Sequence, residues 1–390
     1  YGAMTEGQDR GDGTRVVSAG RSGFGRALAG PMWSAAVWES ADLDESRRRA
    51  SGVRPGEFYA RYSNPTVRAF EEAIAELEGA EDALAFGSGM GAISSVLLAL
   101  CSAGDHVVAS RQLYAGTSAL LSGPMARLGV ETTFVDGADA EAIAAAVIPG
   151  RTTVVFVESP SNPLLGVADL EALGAIAGPF TVVDATFATP LGQRSLEFGV
   201  DLVVHSATKG ISGHNDVTLG VVAGERELIE AVWAYSVLHG SVASPSDAQA
   251  ALRGLRTLDV RLARQSATSL ELARRLEGHP SVAAVHHPGL DSHPQAALAK
   301  SQMRSTGSML AFEVSGGLDA ARRVHDGLSL IRRATSLGGT ETLICHPSST
   351  THVSLSEEDR RAIGVTDGLL RVSVGLEDVD DLWGDLSPLL

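Results

Sequence analysis

Only two of the 31 basic residues in the chain are lysines, and a lysine can do chemistry that an arginine cannot. A lysine amine can lose its proton and condense with an aldehyde, whereas an arginine guanidinium, with a pKa above about 12, stays charged. Lys209 follows an apolar run and the hydroxyls of Ser206 and Thr208, which makes it a candidate anchor for an aldehyde ligand. Lys300 lies in a polar helical stretch, residues 294–303, where we expect it to be solvated. The scarcity of lysine does not by itself show that either lysine is functional, because abundant Arg, Ala and Gly also indicate a coding bias that replaces lysine.

Short apolar runs that alternate with helical stretches predict the framework that positions these residues. Strands are predicted at residues 83–86, 106–109, 132–135, 153–157, 181–184, 202–205 and 219–222. Helices are predicted at residues 65–77, 90–100, 117–128, 140–147 and 169–177. This alternation favours an α/β fold with a mostly parallel seven-stranded sheet that is covered on both faces.

Changes of pattern along the chain predict three regions. Residues 1–60 lack sustained periodicity and read as an extended N-terminal arm, and residues 61–245 hold the alternating strands and helices. After Pro245, a helical stretch over residues 246–278, broken near Gly254, leads into a smaller α+β C-terminal domain, residues 246–390.

The composition indicates a soluble globular protein, with 44% hydrophobic and 20% charged residues. A net charge of −16 argues against nucleic acid and anionic membranes as partners. Cys101 and Cys345 lie far apart, so neither a disulfide framework nor a metal site is predicted, which fits the cytoplasm. The chain shows no signal peptide and no apolar stretch of the ~20 residues that a membrane span needs. Residues 1–3, before Met4, read as a cloning remnant.

Polar residues follow three of the predicted strands, where ligands bind in an open parallel sheet. Ser88, Gly89 and Met90 open a helix, whose free N–H groups suit a phosphate. Asp184 ends another strand, and a carboxylate beneath a pyridine ring keeps the ring nitrogen protonated. Lys209 follows a third strand and can hold an aldehyde as a Schiff base. The ligand that fits this combination is pyridoxal 5′-phosphate, although each residue alone also has an ordinary structural role open to it.

Motifs along nearly the whole chain from about residue 55 resemble the Cys/Met-metabolism family of pyridoxal-phosphate enzymes. They are YARYSNPT at 59–66, SGM at 88–90, LY at 113–114, ESPSNP at 158–163, DATF at 184–187, HSATK at 205–209, GH at 213–214, SLGG at 336–339, HP at 346–347, TH at 351–352 and RVSVG at 371–375. The family includes cystathionine γ-synthase, cystathionine γ-lyase, methionine γ-lyase and homoserine sulfhydrylases. The resemblance implies the aspartate-aminotransferase-like fold, fold type I, with residues 61–245 as the cofactor-binding domain, and a homotetramer of two active dimers.

The resemblance also implies a role for individual residues around the cofactor. Lys209 corresponds to the Schiff-base lysine, Asp184 to the partner of the pyridinium nitrogen, and Tyr114 to the tyrosine that stacks on the ring and assists proton transfer. Residues that bind the phosphate are implied at Ser88, Gly89, Met90, Ser206 and Thr208, with Tyr59 and Arg61 reaching it from a neighbouring subunit. Residues that contact the amino-acid substrate are implied at Ser336, Leu337, Arg371, Asn162, Thr351 and Glu341.

Two positions beside the cofactor depart from the family pattern. Ala185 stands where the family usually has Asn, and Gly210 stands where it usually has Tyr. Both changes remove side chains near the cofactor. We expect them to affect the exact chemistry and not the binding of the cofactor.

Positions that distinguish substrates within the family also differ here. Gly116 and residues 236–237 replace the Cys and the Lys-Asp pair of methionine γ-lyases, and Phe58 and Ala119 replace charged residues that are frequent in cystathionine enzymes. The two apolar replacements suggest a distal substrate group of low polarity, such as a thioether.

Three functions remain open from the sequence. The first is γ-elimination, a carbon–sulfur lyase reaction on methionine, homocysteine or cystathionine that gives a 2-oxo acid, ammonia and a thiol. The second is γ-replacement on an O-acylhomoserine or related substrate, a transferase reaction. The third is a non-catalytic relative that binds the cofactor.

Overall fold

A seven-stranded sheet organises the larger part of the chain in the computed structural model, which describes residues 10–390. The interpretation of residues 1–3 lies outside the described residues. The strands are β1 (Asp82–Phe86), β2 (His106–Ser110), β3 (Glu131–Val135), β4 (Thr152–Glu158), β5 (Phe180–Asp184), β6 (Leu202–His205) and β7 (Gly220–Gly224). Their order is β1-β7-β6-β5-β4-β2-β3, and β7 runs antiparallel to both neighbours. The predicted mostly parallel sheet is confirmed, and each strand lies within two residues of its predicted range.

Helices cover the sheet and connect its strands. The α-helices of the described residues are α1 (Asp12–Ser18), α2 (Leu43–Ser51), α3 (Pro65–Glu78), α4 (Gly89–Leu100), α5 (Ala115–Leu120), α6 (Ala140–Ala146), α7 (Leu170–Gly174), α8 (Thr189–Gly192), α9 (Arg226–His239), α10 (Pro245–Leu255), α11 (Leu258–Glu277), α12 (Ala296–Gln302), α13 (Gly317–Gly327), α14 (Glu357–Ala362) and α15 (Val379–Leu386). Within residues 10–390, none has the length and apolar character required to cross a lipid bilayer.

Two apolar layers hold the sheet between its helices. Along β4, Val154 and Phe156 join the cluster formed with α4 and α9, whereas Val155 and Val157 join the cluster formed with α3 and α10. Successive side chains of a strand point to opposite faces, so a strand buried on both faces reads as a continuous apolar run. This explains why the strands were recognisable from the sequence and why the polar residues at their ends stand out.

The helix predicted over residues 117–128 has a different form. Helix α5 ends at Leu120, and Leu121–Met125 continue as one π-helical turn around Pro124. Proline has no backbone N–H to donate to the carbonyl four residues earlier, so a wider turn at this position is expected.

A five-stranded sheet lies in the C-terminal part of the chain, and α11 packs on it. Its strands are β8 (Val282–His286), β9 (Met309–Val314), β10 (Arg332–Arg333), β11 (Leu343–Cys345) and β12 (Leu369–Ser373), in the order β10-β11-β12-β9-β8. The predicted break near Gly254 occurs just after it, between α10 and α11. A Cβ on Gly254 would lie 2.1 Å from the carbonyl oxygen of Ser212, so glycine allows this helix to approach the loop that follows Lys209.

Residues 10–60 of the arm include the short helices α1 and α2, which the prediction of an extended arm missed. Helix α2 has no buried residue and is rich in charge, so it lacks the apolar stripe that a periodicity analysis detects. The Asp42 carboxylate accepts the Glu45 N–H at 2.7 Å and caps its start. The arm exposes large apolar side chains, with Leu28 and Leu43 each 88% exposed.

Candidate active site

A cavity of about 580 Å³ lies between the carboxyl ends of the central strands and the C-terminal sheet. Residues predicted for the site that line it are Ser88, Gly89, Met90, Tyr114, Asn162, Asp184, Ser206, Thr208, Lys209, Ser336, Leu337, Thr351 and Arg371. Parallel strands end at one edge of the sheet, which explains why residues so distant in sequence meet here.

The two lysines have different surroundings. Lys209 lines this cavity, whereas Lys300 is exposed on α12 and borders a separate groove of about 740 Å³. The Lys209 amine donates a hydrogen bond to Ser336 Oγ at 2.7 Å. Burial, and to a lesser degree the positive charge of Arg371, lower the pKa of Lys209 to about 8. About a tenth of this amine is therefore uncharged at pH 7, far more than for an ordinary lysine, which supplies the free amine that a nucleophilic lysine requires.

Asp184 is a buried carboxyl at the end of β5. The backbone N–H of Thr186 donates to its Oδ1 at 3.0 Å, and the Thr186 hydroxyl donates at 2.5 Å. Burial raises the pKa of Asp184, and the two bonds from Thr186 oppose that shift. The Thr186 hydroxyl also accepts the Ser206 N–H at 2.8 Å, which joins the ends of β5 and β6.

The start of α4 lines the cavity next to Ser206. The Ser88 hydroxyl accepts the Gly91 N–H at 3.0 Å and caps the helix. A Cβ on Gly89 would lie 2.8 Å from the Ser206 Cβ, so only glycine permits this close approach. The Thr208 hydroxyl lines the cavity but also contacts the backbone of Leu219, donating to its carbonyl at 3.1 Å and accepting its N–H at 2.9 Å.

Arg371 lies on the C-terminal side of the cavity and is only 3% exposed. Its Nη1 donates to Asn162 Oδ1 at 2.8 Å, and its Nη2 donates to the Ser336 carbonyl at 3.2 Å. Its Nε has no hydrogen-bond partner among the described residues. A buried guanidinium without a carboxylate bonded to it is suited to bind one from a ligand.

Glu158 lines the cavity and was missed as a site residue, although it belongs to the motif at residues 158–163. Its Oε2 accepts the backbone N–H of Tyr114 at 2.7 Å. Burial and the neighbouring Asp184 raise the pKa of Glu158 well above its ordinary value. The rule that identified Asp184, a carboxylate at a strand end, applies equally to Glu158 at the end of β4.

Three predicted residues do not line the cavity: Tyr59, Arg61 and Glu341. Arg61 donates to the Val237 carbonyl at 2.6 Å, and its guanidinium lies 5.3 Å from the centre of the Tyr59 ring. Glu341 is exposed and accepts a bond from the Asn215 amide at 2.9 Å.

Close packing surrounds the positions that depart from the family pattern. A Cβ on Gly210 would lie 2.9 Å from Thr189 Cγ2, and a Cβ on Gly338 would lie 2.4 Å from the Gly210 nitrogen. A Cβ on Gly116 would lie 2.6 Å from the Tyr114 ring. Neighbouring groups therefore occupy the space that larger side chains would take at residues 116 and 210.

The residues around the cavity fit pyridoxal 5′-phosphate. Lys209 provides an amine of lowered pKa, Asp184 a buried carboxyl for a ring nitrogen, and the start of α4 a glycine-lined cradle for the phosphate.

Comparison with known proteins agrees with this fit. The family model described as "Cys/Met metabolism PLP-dependent enzyme" matches residues 13–390. The chain belongs to this family. Its cofactor is therefore pyridoxal 5′-phosphate, and its fold is the one that the motifs implied.

Relatives in the family carry several activities in their names. An L-methionine gamma-lyase of Pseudomonas putida is 43% identical, over 94% of this chain and 93% of that protein. An O-succinylhomoserine sulfhydrylase of Pseudomonas aeruginosa is 44% identical, over 88% of this chain and 86% of that protein. The crystal structure of a cystathionine gamma synthase from Xanthomonas oryzae superposes with a TM-score of 0.91 at 37% identity and covers 98% of each chain. The chain is thus a pyridoxal-phosphate-dependent enzyme of a group that contains both lyases and synthases.

Proposed function

We propose that this protein catalyses γ-elimination on a sulfur amino acid such as methionine, homocysteine or cystathionine. The products are a 2-oxo acid, ammonia and a thiol. The observation that carries the proposal is the Lys209 amine, whose pKa is lowered to about 8 and which shares one cavity with the buried cation Arg371. An amine that exchanges protons near neutral pH, beside a receptor for a carboxylate, meets the two basic needs of this reaction.

The chain holds its cofactor through groups on several elements. When bound, pyridoxal phosphate supplies an aldehyde carbon and an electron-withdrawing ring that stabilises negative charge on the substrate. Lys209 would hold the aldehyde, and Asp184 would keep the ring nitrogen protonated. The start of α4, where Ser88, Gly89 and Met90 line the cavity, would hold the phosphate through backbone N–H groups, with the hydroxyls of Ser206 and Thr208 nearby.

Proton transfer is assigned to two side chains. Once displaced from the cofactor, Lys209 Nζ takes the proton from the substrate α carbon and moves protons at the β carbon. Tyr114 lines the cavity and is 45% exposed, and its hydroxyl is assigned the protonation of the leaving thiolate. The bond from the Tyr114 N–H to Glu158 holds the base of this side chain in place.

Different residues of the cavity are assigned to the substrate's carboxylate and to its distal group. Arg371, oriented by Asn162 and Ser336, binds the carboxylate. Apolar side chains, among them Ile93, Phe187 and Leu337, also line the cavity and favour a thioether over a charged distal group. This is the basis for preferring a sulfur amino acid as the substrate.

We also propose that the active form is a homotetramer of two dimers with shared sites. Tyr59 and Arg61 would reach the phosphate in a neighbouring subunit, since they lie outside the cavity of their own chain. The exposed apolar residues of the N-terminal arm, residues 1–60, suit burial against a second copy. Residues 61–245 and 246–390 would be the cofactor-binding and C-terminal domains, with Glu341 near the entrance for substrate.

The alternative is γ-replacement, which the similarity to a sulfhydrylase and to a cystathionine gamma synthase favours. Incubation of the enzyme with methionine, cystathionine or an O-acylhomoserine, each with and without a thiol, separates the two reactions. Release of oxo acid without added thiol supports elimination, and consumption of substrate only with a thiol contradicts it. A visible cofactor band without turnover of any of these substrates would instead indicate a non-catalytic relative.

A further inference from the structure

Two adjacent threonines line the cavity, and their hydroxyl groups have different partners. The Thr350 hydroxyl donates its hydrogen to the His346 carbonyl at 2.8 Å. The Thr351 hydroxyl instead lies 2.9 Å from the Nδ1 atom of His352. Because an imidazole nitrogen can donate or accept, the state of His352 decides whether the Thr351 hydrogen is available to a ligand.

His352 is a buried imidazole, 1% exposed, and it does not line the cavity itself. Burial, Arg371 and Arg360 lower the pKa of His352 to about 4, so the ring is neutral near pH 7 and carries one hydrogen. Its Nε2 has no partner among the described residues.

The missing partner of Nε2 favours one tautomer of His352. A hydrogen on Nε2 would leave a buried N–H unpaired, whereas a hydrogen on Nδ1 is satisfied by the Thr351 oxygen. Buried N–H groups without a partner are rarer than under-satisfied acceptors, so the hydrogen belongs on Nδ1. In that arrangement Thr351 accepts from His352, and its own hydrogen is free to point into the cavity.

We propose that His352 is a positioning residue for substrate recognition: its Nδ1–H orients the Thr351 hydroxyl as a hydrogen-bond donor to the substrate carboxylate held by Arg371. The inference rests on the proposed function for the nature of the substrate. It assigns His352 no contact with substrate or cofactor, and its effect passes entirely through Thr351.

The test compares two replacements of His352 in the cofactor-loaded enzyme. Pentanoate serves as the probe, a carboxylate that has no amine to react, and calorimetry measures its dissociation constant. His352→Leu removes the donor and is expected to weaken pentanoate binding roughly tenfold. His352→Asn places an amide N–H near the position of Nδ1 and is expected to stay within about twofold of the wild type. With a turned-over substrate, the leucine variant should raise KM more than it lowers kcat.

A second pair of variants covers the case in which His352→Leu does not fold. Thr351→Ser keeps a hydroxyl beside the intact imidazole and should retain pentanoate affinity, whereas Thr351→Val should lose about tenfold. Where both single variants fold, adding Thr351→Val to His352→Leu should cause little further loss, since both act through one hydrogen bond.

The matched control is His106→Leu, which removes a second buried histidine–threonine pair. His106 Nδ1 lies 2.8 Å from the Thr152 hydroxyl at the start of β4, whereas the cavity lies at the opposite ends of the strands. This variant should lower the thermal midpoint without changing the pentanoate dissociation constant.

The outcomes separate the inference from the proposed function. Equal pentanoate affinity in the wild type and His352→Leu would overturn the role of His352, and so would an asparagine variant as weak as the leucine variant. If the variants show the predicted pentanoate affinities but the enzyme turns over no sulfur amino acid, the role of His352 is supported and only the proposed function is contradicted.

Discussion

Glu158 and Asp184 pair in register at the ends of two adjacent parallel strands, β4 and β5, and both line the cavity. Two buried carboxyl groups this close disfavour simultaneous ionisation. The Thr186 hydroxyl and N–H stabilise negative charge on Asp184. The pKa of Glu158 is raised well above its ordinary value, first by burial and then by Asp184. The pair thus favours the negative charge on Asp184, the residue proposed to keep the ring nitrogen of the cofactor protonated.

This division of charge predicts different effects for two replacements of Glu158. Glu158→Gln removes the ionisable group but keeps an oxygen for the Tyr114 N–H, so we expect kcat/KM to fall less than about threefold. Glu158→Ala leaves that N–H unpaired, and we expect a loss of roughly tenfold or more. Steady-state kinetics of both variants, at equal cofactor content, measure the difference. A glutamine variant as impaired as the alanine variant would show that the charge of Glu158 is required.

The lowered pKa of Lys209 predicts how reconstitution depends on pH. Only the uncharged amine attacks an aldehyde, so the rate at which cofactor-free protein regains its visible absorbance should fall about tenfold per pH unit below the pKa. With a pKa of about 8 for Lys209, the rate should rise between pH 6 and 8 and level off above it. An ordinary lysine would keep rising towards a pKa near 10.5, and a profile of that kind would contradict the assigned environment.

The contact between Gly89 and Ser206 predicts a cofactor-binding defect. A methyl group on Gly89 would come within 2.8 Å of the Ser206 Cβ and push the helix start away from its loop. We expect Gly89→Ala to raise the dissociation constant of pyridoxal phosphate by at least about tenfold. The control is Gly384→Ala in α15, where an added Cβ meets nothing within 4 Å. Equal cofactor affinity in both variants would argue against a phosphate at the start of α4.

The proposed sharing of active sites between subunits predicts complementation between two inactive variants. On this proposal, Lys209→Ala should disable the site of its own chain, whereas Arg61→Ala should disable the site of a neighbour. Random mixing of the two variants should form hybrid dimers with one intact site and restore about a quarter of wild-type activity. Mixed subunits that remain inactive after unfolding and reassembly, while wild-type protein treated alike recovers, would contradict the contribution of Arg61 in trans.

The sequence predicted the residues that follow buried strands, because an apolar β-branched run that ends in a polar residue is a local pattern. Asp184 and Lys209 were found in this way. Tyr114 and Arg371 have no such pattern and were identified through family motifs. Glu158 also satisfies the strand-end rule, but it was considered only as part of the motif at residues 158–163.

Other features depend on contacts that no local pattern encodes. The antiparallel direction of β7 follows from how its connection returns across the sheet. The hydrogen bond between Thr351 and His352 requires one orientation of the buried imidazole ring. The sequence shows the two residues side by side but not this orientation, so it did not indicate the role that we propose for His352. The packing of Gly210 against Thr189 joins the loop after β6 to the start of α8, residues distant in sequence, which is why the replacement of the family's tyrosine looked like a vacated space.

The visible absorbance of the purified protein tests most directly whether Lys209 is the cofactor anchor. Lys209→Arg keeps a positive charge but removes the one lysine amine among the described residues that line the cavity, whereas Lys300→Arg changes an exposed lysine on α12. We predict that the band of the covalently held cofactor disappears in the Lys209 variant and persists unchanged in the Lys300 variant. A band that survives in Lys209→Arg, with cofactor still attached after denaturation and reduction, would contradict the central claim.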